Sequence, residues 1–301
     1  MLYSVRDRAG EDAAARPSAA REEPLGTVSG STAVEAIVES GAAIEEGATA
    51  VAMHLPRSRA HETLMLLVGQ MQQEKPWDER LRRYDWKKRT FEETQHSLAE
   101  IMWQGSMLSR LVRHGIEWNR QYKVQAVIWA AKIFEWGGTR QKSAVTWQKV
   151  RHTLANAVSG RVDYPDAPMN SGYTKVASFA TAYLEDETAR MPQVINDSRV
   201  ATSLTWRLDT VLREHGWLPA DLFPGLGRID AARGGTRPRE LVLAWPDAYQ
   251  RWSGQFAATS AVLAIRDILN RDARYPKMPF GERDVLWTMR GVEAVLFMDG
   301  Y

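Results

Sequence analysis

The sequence predicts an all-α protein, and three observations carry that prediction. From His61 onward, apolar residues recur at helical spacing in almost every segment. No stretch shows the apolar–polar alternation of a half-buried strand. There is also no internal repeat and no heptad run.

Residues 1–30 are rich in Ala, Arg, Glu, Gly and Ser without an apolar period, the composition of a mobile tail. Thr32 and Glu35 have the spacing of a capping box opening a short helix that ends near Gly41. His61 to Gln73 follows as a helix, with Leu64, Leu67, Val68 and Met71 on one face. Phe91 to His114 is the longest, carrying Leu98, Ile101, Met102, Met107, Leu108, Leu111 and Val112 at helical spacing. Val124 to Trp136, closed by Gly137-Gly138, and Trp147 to Val158 come next. Two amphipathic helices then follow Thr174 and Asp197. The first carries Val176, Phe179, Ala180, Tyr183 and Leu184; the second carries Val200, Ala201, Leu204, Leu208, Val211 and Leu212 and stops at Gly216. Phe179, Tyr183, Leu204 and Leu208 are expected in one core. Residues 217–240 form a loop rich in Gly, Pro and Arg, and helices over Pro246 to Asp272 and Glu282 to Met298 complete the chain.

Bulk properties narrow the function classes. Zero cysteines exclude disulfides and a thiolate-held iron–sulfur cluster. The six histidines show no metal-ligand spacing. Without a membrane-length apolar run or a signal-peptide pattern, a cytoplasmic protein needing no metal or cofactor is the expectation. Residues 1–50 hold nine acidic residues against four arginines, a net of −5. The whole chain is +2, so residues 51–301 carry +7. A basic body suits a polyanion, because neutralised phosphates release counterions.

The stretch with most chemical content is Ser171-Gly172-Tyr173-Thr174-Lys175-Val176-Ala177, followed on a new helix by Asp197-Ser198-Arg199-Val200-Ala201. A lysine just after a glycine turn precedes an aspartate at the next helix start by 22 residues. Read alone, Lys175 is either a solvated surface lysine or a nucleophilic amine, and Asp197 is an N-cap with or without a second role. Asn170 and Gly172 read either as an ordinary interhelix turn or as a turn that binds phosphate through backbone N–H groups. Arg199 fits a phosphate contact or a surface carboxylate.

Over about Pro168 to Leu212 this pattern resembles the helix-hairpin-helix DNA glycosylases, closest to their 8-oxoguanine DNA glycosylase branch. In that branch a Gly-x-Gly-Thr-Lys-Val-Ala hairpin carries the nucleophilic lysine and a later Val-Asp pair carries the essential aspartate. Here Asn170 or Ser171 occupies one glycine position, where asparagine can supply the left-handed backbone that the turn needs. Residues 186–190 lengthen the gap to the aspartate.

The resemblance implies two helical lobes with a cleft between them. Residues 1–55 would be a mobile acidic extension and 56–301 the helical domain, with a central lobe over about 91–215 and a second lobe from 56–90 and 216–301. It implies a DNA glycosylase, with or without lyase action at the abasic site, using Lys175 as nucleophile and Asp197 as its partner. DNA contacts would come from Asn170, Ser171, Gly172, Thr174, Arg199, Arg233 and Arg237, the last two in the 217–240 loop. Trp136 and Trp206 are candidates to line a pocket for a flipped base, although tryptophans at helical spacing are ordinarily core. The rival readings are a DNA-binding protein of this fold without activity and a protein that reads or acts on hypermodified bases, as in phage defence. The acidic extension would then bind a protein partner.

Overall fold

The computed structural model describes residues 59–141, 143–184, 192–229 and 240–300. The expected tail, the Thr32 helix, the 186–190 insertion, Arg233 and Arg237 lie outside the described residues. Ten helices and one two-stranded hairpin are assigned there: α1 (Arg59–Glu74), α2 (Trp77–Arg82), α3 (Phe91–Arg113), α4 (Arg120–Trp136), α5 (Trp147–Ser159), α6 (Tyr173–Thr181), α7 (Ser198–Glu214), α8 (Pro219–Leu222), α9 (Trp252–Arg271), β1 (Met278–Phe280), β2 (Arg283–Val285) and α10 (Met289–Asp299). No described helix is long and apolar enough to cross a membrane.

Side chains fix several helix starts. Thr90 and Glu93 form a reciprocal capping box at α3; Asn119, Thr146 and Thr288 cap α4, α5 and α10. Each satisfies N–H groups that a first turn leaves without an intrahelical partner.

Two large apolar cores, with a smaller cluster of Ala157, Ala167, Met169, Ala177 and Trp252 joining α5, α6 and α9, organise the described elements. Helices α3 to α6 enclose Leu98, Met102, Trp129, Ile133, Leu154, Val176 and Phe179. Gly105 lets α6 close on α3, since a Cβ there would sit 2.5 Å from the Trp129 ring and 2.9 Å from the Phe179 carbonyl oxygen. The second core joins α1, α2, α7, α9 and α10 through Leu67, Met71, Trp77, Leu204, Leu208, Ile265 and Trp287. There Trp77 and Trp287 meet edge to face at 5.9 Å.

Within residues 91–215, α3 to α6 share one apolar core, while α7 packs with the helices of the chain ends. Phe179 therefore belongs to one core and Leu204 and Leu208 to the other, with Tyr183 only half-buried. Helical periodicity shows that a face is buried, not against which neighbour.

Local departures have local causes. The helix expected from Glu282 begins at Met289, because Met278–Phe280 pairs antiparallel with Arg283–Val285 around Gly281 at φ +60°. Pro279 and Gly281 suit that hairpin better than a helix. Helix α9 begins at Trp252 rather than Pro246, after Gln250 takes a left-handed φ of +60°. Helices α2 and α8 are too short to show a period.

Candidate active site between the two large cores

The start of α6 is built by Asn170. Its Oδ1 accepts the N–H groups of Gly172 (2.8 Å) and Tyr173 (3.1 Å), while its Nδ2 donates to Gln141 Oε1. The turn thus consumes its own donors, so the backbone groups of Gly172 and Tyr173 are not presented to a phosphate. Nor is the backbone left-handed: Gly172 has φ −83°, and Asn170 is not among the positive-φ residues. Glycine is required at 172 for space, since a Cβ there would collide with Phe134 and Gln141.

Lys175 then points back across the turn. Its stem lies along Gly137, where an added Cβ would be 2.7 Å from Cδ. Its Nζ donates to the Ser171 carbonyl at 2.9 Å and to Asp197 Oδ2 at 3.0 Å. Asp197 divides its oxygens: Oδ1 caps α7 by accepting from the N–H groups of Arg199 (3.1 Å) and Val200 (3.4 Å), and Oδ2 faces the lysine. The pair spans the two cores, with α6 in one and α7 in the other.

The pairing across 22 residues is therefore present, but the solvent-open cleft expected around it is not. Lys175 is 5% exposed and Asp197 8%. The surface-lysine reading fails on the same observation.

The neighbours of the pair explain why this junction holds. Thr174 is wholly buried; its hydroxyl donates to Gln255 Oε1 and accepts the Asn196 N–H, each at 2.7 Å. It ties α6 to α9 and to the strand-like approach to α7, and does not face DNA. Glu293 of α10 accepts from the Ile195 N–H through Oε2 and from Arg290 through Oε1, each at 2.7 Å. Burial pushes the Glu293 carboxyl upward and the charge of Asp197 adds to this, while Arg290 and the Ile195 N–H oppose it. Arg290 also donates to Ser178 of α6 and lies over the Phe179 ring. Burial raises the Tyr84 and Tyr183 phenols to about 12, against the nearby charge of Arg290.

The remaining candidates are distributed unevenly. Arg199 is buried and lies over the rings of Trp86 (5.1 Å) and Phe297 (4.6 Å), a cation–π seat. Trp136 packs beside the site, against Phe179 at 5.3 Å and Trp86 at 6.3 Å. Trp206 does not: nine residues along α7 place it about 13 Å from Asp197, beside Arg207 and the Glu74–Arg207–Asp299 ion pairs. Ser171 contributes its carbonyl to Lys175.

Sequence reading missed Tyr84, Trp86, Arg290 and Glu293. The one available signal was Arg290 and Glu293 falling, three residues apart, on the apolar face of the last helix. No protein-family model, curated protein or solved structure matches this chain.

Proposed function

We propose that this protein is a DNA glycosylase acting on a damaged or modified base through Lys175, with Asp197 as its proton acceptor and charge partner. One observation carries the reading: an amine and a carboxylate from different helices, 22 residues apart, meet at 3.0 Å at the junction of two lobes. The pair needs little rearrangement to act on a sugar brought to it.

In the reaction Asp197 accepts a proton from the ammonium, and Nζ bonds to the anomeric carbon. The glycosidic bond breaks with its electron pair leaving on the base, which takes up the proton that Asp197 accepted, so that Asp197 is a carboxylate again. Opening of the sugar ring, its oxygen becoming a hydroxyl, then leaves an imine to Lys175. Asp197 stabilises the positive charge developing on the sugar. Since both groups are enclosed, the lobes must part, or neighbouring side chains move, before a flipped nucleotide reaches them.

The test is borohydride trapping on a panel of duplexes carrying modified bases. Wild-type protein is expected to form a covalent adduct on one of them, and Lys175→Gln to form none. Equal trapping by Lys175→Gln would remove the lysine from the chemistry. The rival reading, DNA binding without catalysis, draws on the same enclosure: a lysine neutralised by Asp197 and shielded from solvent also suits a purely structural pair. Salt-sensitive duplex binding with no adduct across the panel would decide for it.

A further inference from the structure

In the hairpin the N–H groups of Gly172 and Tyr173 and the Thr174 hydroxyl are already engaged, which leaves open which surface of the +7 body meets a polyanion. Among the described residues, an exposed run of cations extends from the end of α2 to the start of α3. Arg82, Arg83, Lys87, Lys88 and Arg89 are exposed there, against Asp85 within the run. Glu92 and Glu93 follow, but Glu93 is held by the Thr90 N–H in the capping box.

This segment is strained. Trp86 and Arg89 exchange backbone hydrogen bonds in both directions at 3.2 Å, closing a two-residue turn. Its central residues, Lys87 and Lys88, have φ of +56° and +62°. These are the φ signs of a type I′ turn, which favours Asn-Gly because a Cβ is disfavoured in that region. Two lysines at its tip keep charge where backbone preference asks for glycine, and such strain is characteristic of functional segments.

The turn also fastens the lobes beside the buried pair. Lys87 Nζ donates to the Trp136 carbonyl at 2.6 Å, reaching from the α2 side to the end of α4 in the other lobe. Trp86 lies against Phe297 at 5.3 Å and Trp136 at 6.3 Å, and its buried indole N–H has no hydrogen-bond partner. The next residue after Trp136 is Gly137, whose backbone holds the Lys175 stem.

We propose that Trp86–Arg89 is a phosphodiester-binding clasp over the Lys175–Asp197 site. Lys88 and Arg89 take the phosphates of a nucleic-acid backbone. Phosphate competes with the Trp136 carbonyl for Lys87, and releasing that bond lets Trp86 and the end of α4 move away from Lys175. Binding is thereby coupled to access. The proposal rests on the glycosylase reading only for the choice of DNA as the polyanion.

The experiment uses the full chain and a fluorescein-labelled mixed-sequence duplex of about 20 base pairs, the length of a standard protein–DNA site. Lys88→Gln/Arg89→Gln is expected to bind about tenfold more weakly and to lower the salt slope by about 2, the loss of two phosphate contacts. Arg120→Gln is the control, on an exposed cation about 24 Å along α4 from Trp136. It should bind as wild type does. Lys88→Gly should melt higher than wild type while binding more weakly, because it removes strain and charge together. Without DNA, Lys87→Met should speed reductive methylation of Lys175, read by mass spectrometry, while Lys88→Gln leaves it unchanged. Wild-type affinity in the double variant, or an unmoved Lys175 rate in Lys87→Met, would overturn the clasp. Failure of wild type to bind any duplex would overturn it and the glycosylase reading together. Turn-dependent binding with no trapped imine would support the clasp and remove only the catalytic reading.

Discussion

Breaking the Lys175–Asp197 pair from either side should cost far more than removing both partners. The two side chains are 6% and 11% exposed and their charged atoms are 3.0 Å apart, so each charge has traded solvent for the other. In Lys175→Met the thioether chain replaces the stem against Gly137, but Asp197 Oδ2 loses its counter-charge. In Asp197→Asn the cap on Arg199 and Val200 survives, because asparagine caps about as well as aspartate. The ammonium, however, keeps only the Ser171 carbonyl. Each single change is expected to cost about 3–5 kcal/mol, the range for a buried pair stripped of one partner. The double variant encloses no unpaired charge and should lose no more than about 2 kcal/mol, a strong coupling for residues in direct contact. Urea unfolding of the four proteins at neutral pH, with m-values checked for constancy, measures the cycle. Losses that add to within about 0.5 kcal/mol would refute the reasoning, and so would single variants as stable as wild type. Either would mean that the pair is solvated in solution and that the junction stands open without DNA. The same numbers bear on activity assays, since an inactive Lys175 variant is informative only where it is still folded.

Two further outcomes follow from packing and charge. Gly105→Ala places a methyl 2.5 Å from the Trp129 ring and 2.9–3.0 Å from α6 backbone atoms. It should destabilise by about 1–3 kcal/mol or more, since backbone on both sides cannot yield; an unchanged melting temperature would refute the α3–α6 approach. Acid stability should depend on Asp299. Burial raises its carboxyl, but hydrogen bonds and charge from Arg207, with Ser203 and Arg80, outweigh this and hold it below the ordinary 3.8. A depressed carboxylate gives stability that is present above its ordinary value and lost as pH falls through the folded value. Wild type minus Asp299→Asn should therefore shrink below pH 3.8, when followed by urea unfolding between pH 5 and pH 2. Glu293 works in the opposite sense: raised by burial, it favours folding while protonated and gives that up as pH rises past its ordinary 4.5. A difference curve that grows on acidification would contradict the Asp299 assignment.

What could be read from the sequence divides along a physical line. Helices with a long apolar period were visible because burial of one face imposes that period on the residues themselves: α3 was placed to within a residue, and α6 and α7 by their stripes. The Lys175–Asp197 pairing was expected from the resemblance of the hairpin to the DNA glycosylases; turn and capping chemistry alone marked two helix starts and left both roles open. Elements whose cause lies elsewhere in the chain were not visible. Nothing in Val200, Leu204 and Leu208 says that their neighbours are α1 and α10 rather than α6.

The same limit applies to the residues expected to touch DNA. Asn170, Gly172, Thr174 and Arg199 were assigned outward roles from their local sequence alone. Each is instead occupied inward by a group distant in sequence: Gln141, Phe134, Gln255 and the Trp86–Phe297 rings. Those inward partners come from both lobes, so the surroundings of Lys175 belong to neither lobe alone. Tyr84 and Glu293 feel the charge of Asp197, while Trp86 and Arg290 meet Trp136 and Phe179 of the α3–α6 core. A change in how the lobes meet would therefore alter the environment of the amine without altering any residue of the hairpin that carries it. A variant weakening Lys87 on Trp136 or Arg290 on Ser178 tests that dependence more directly than further changes within residues 170–177.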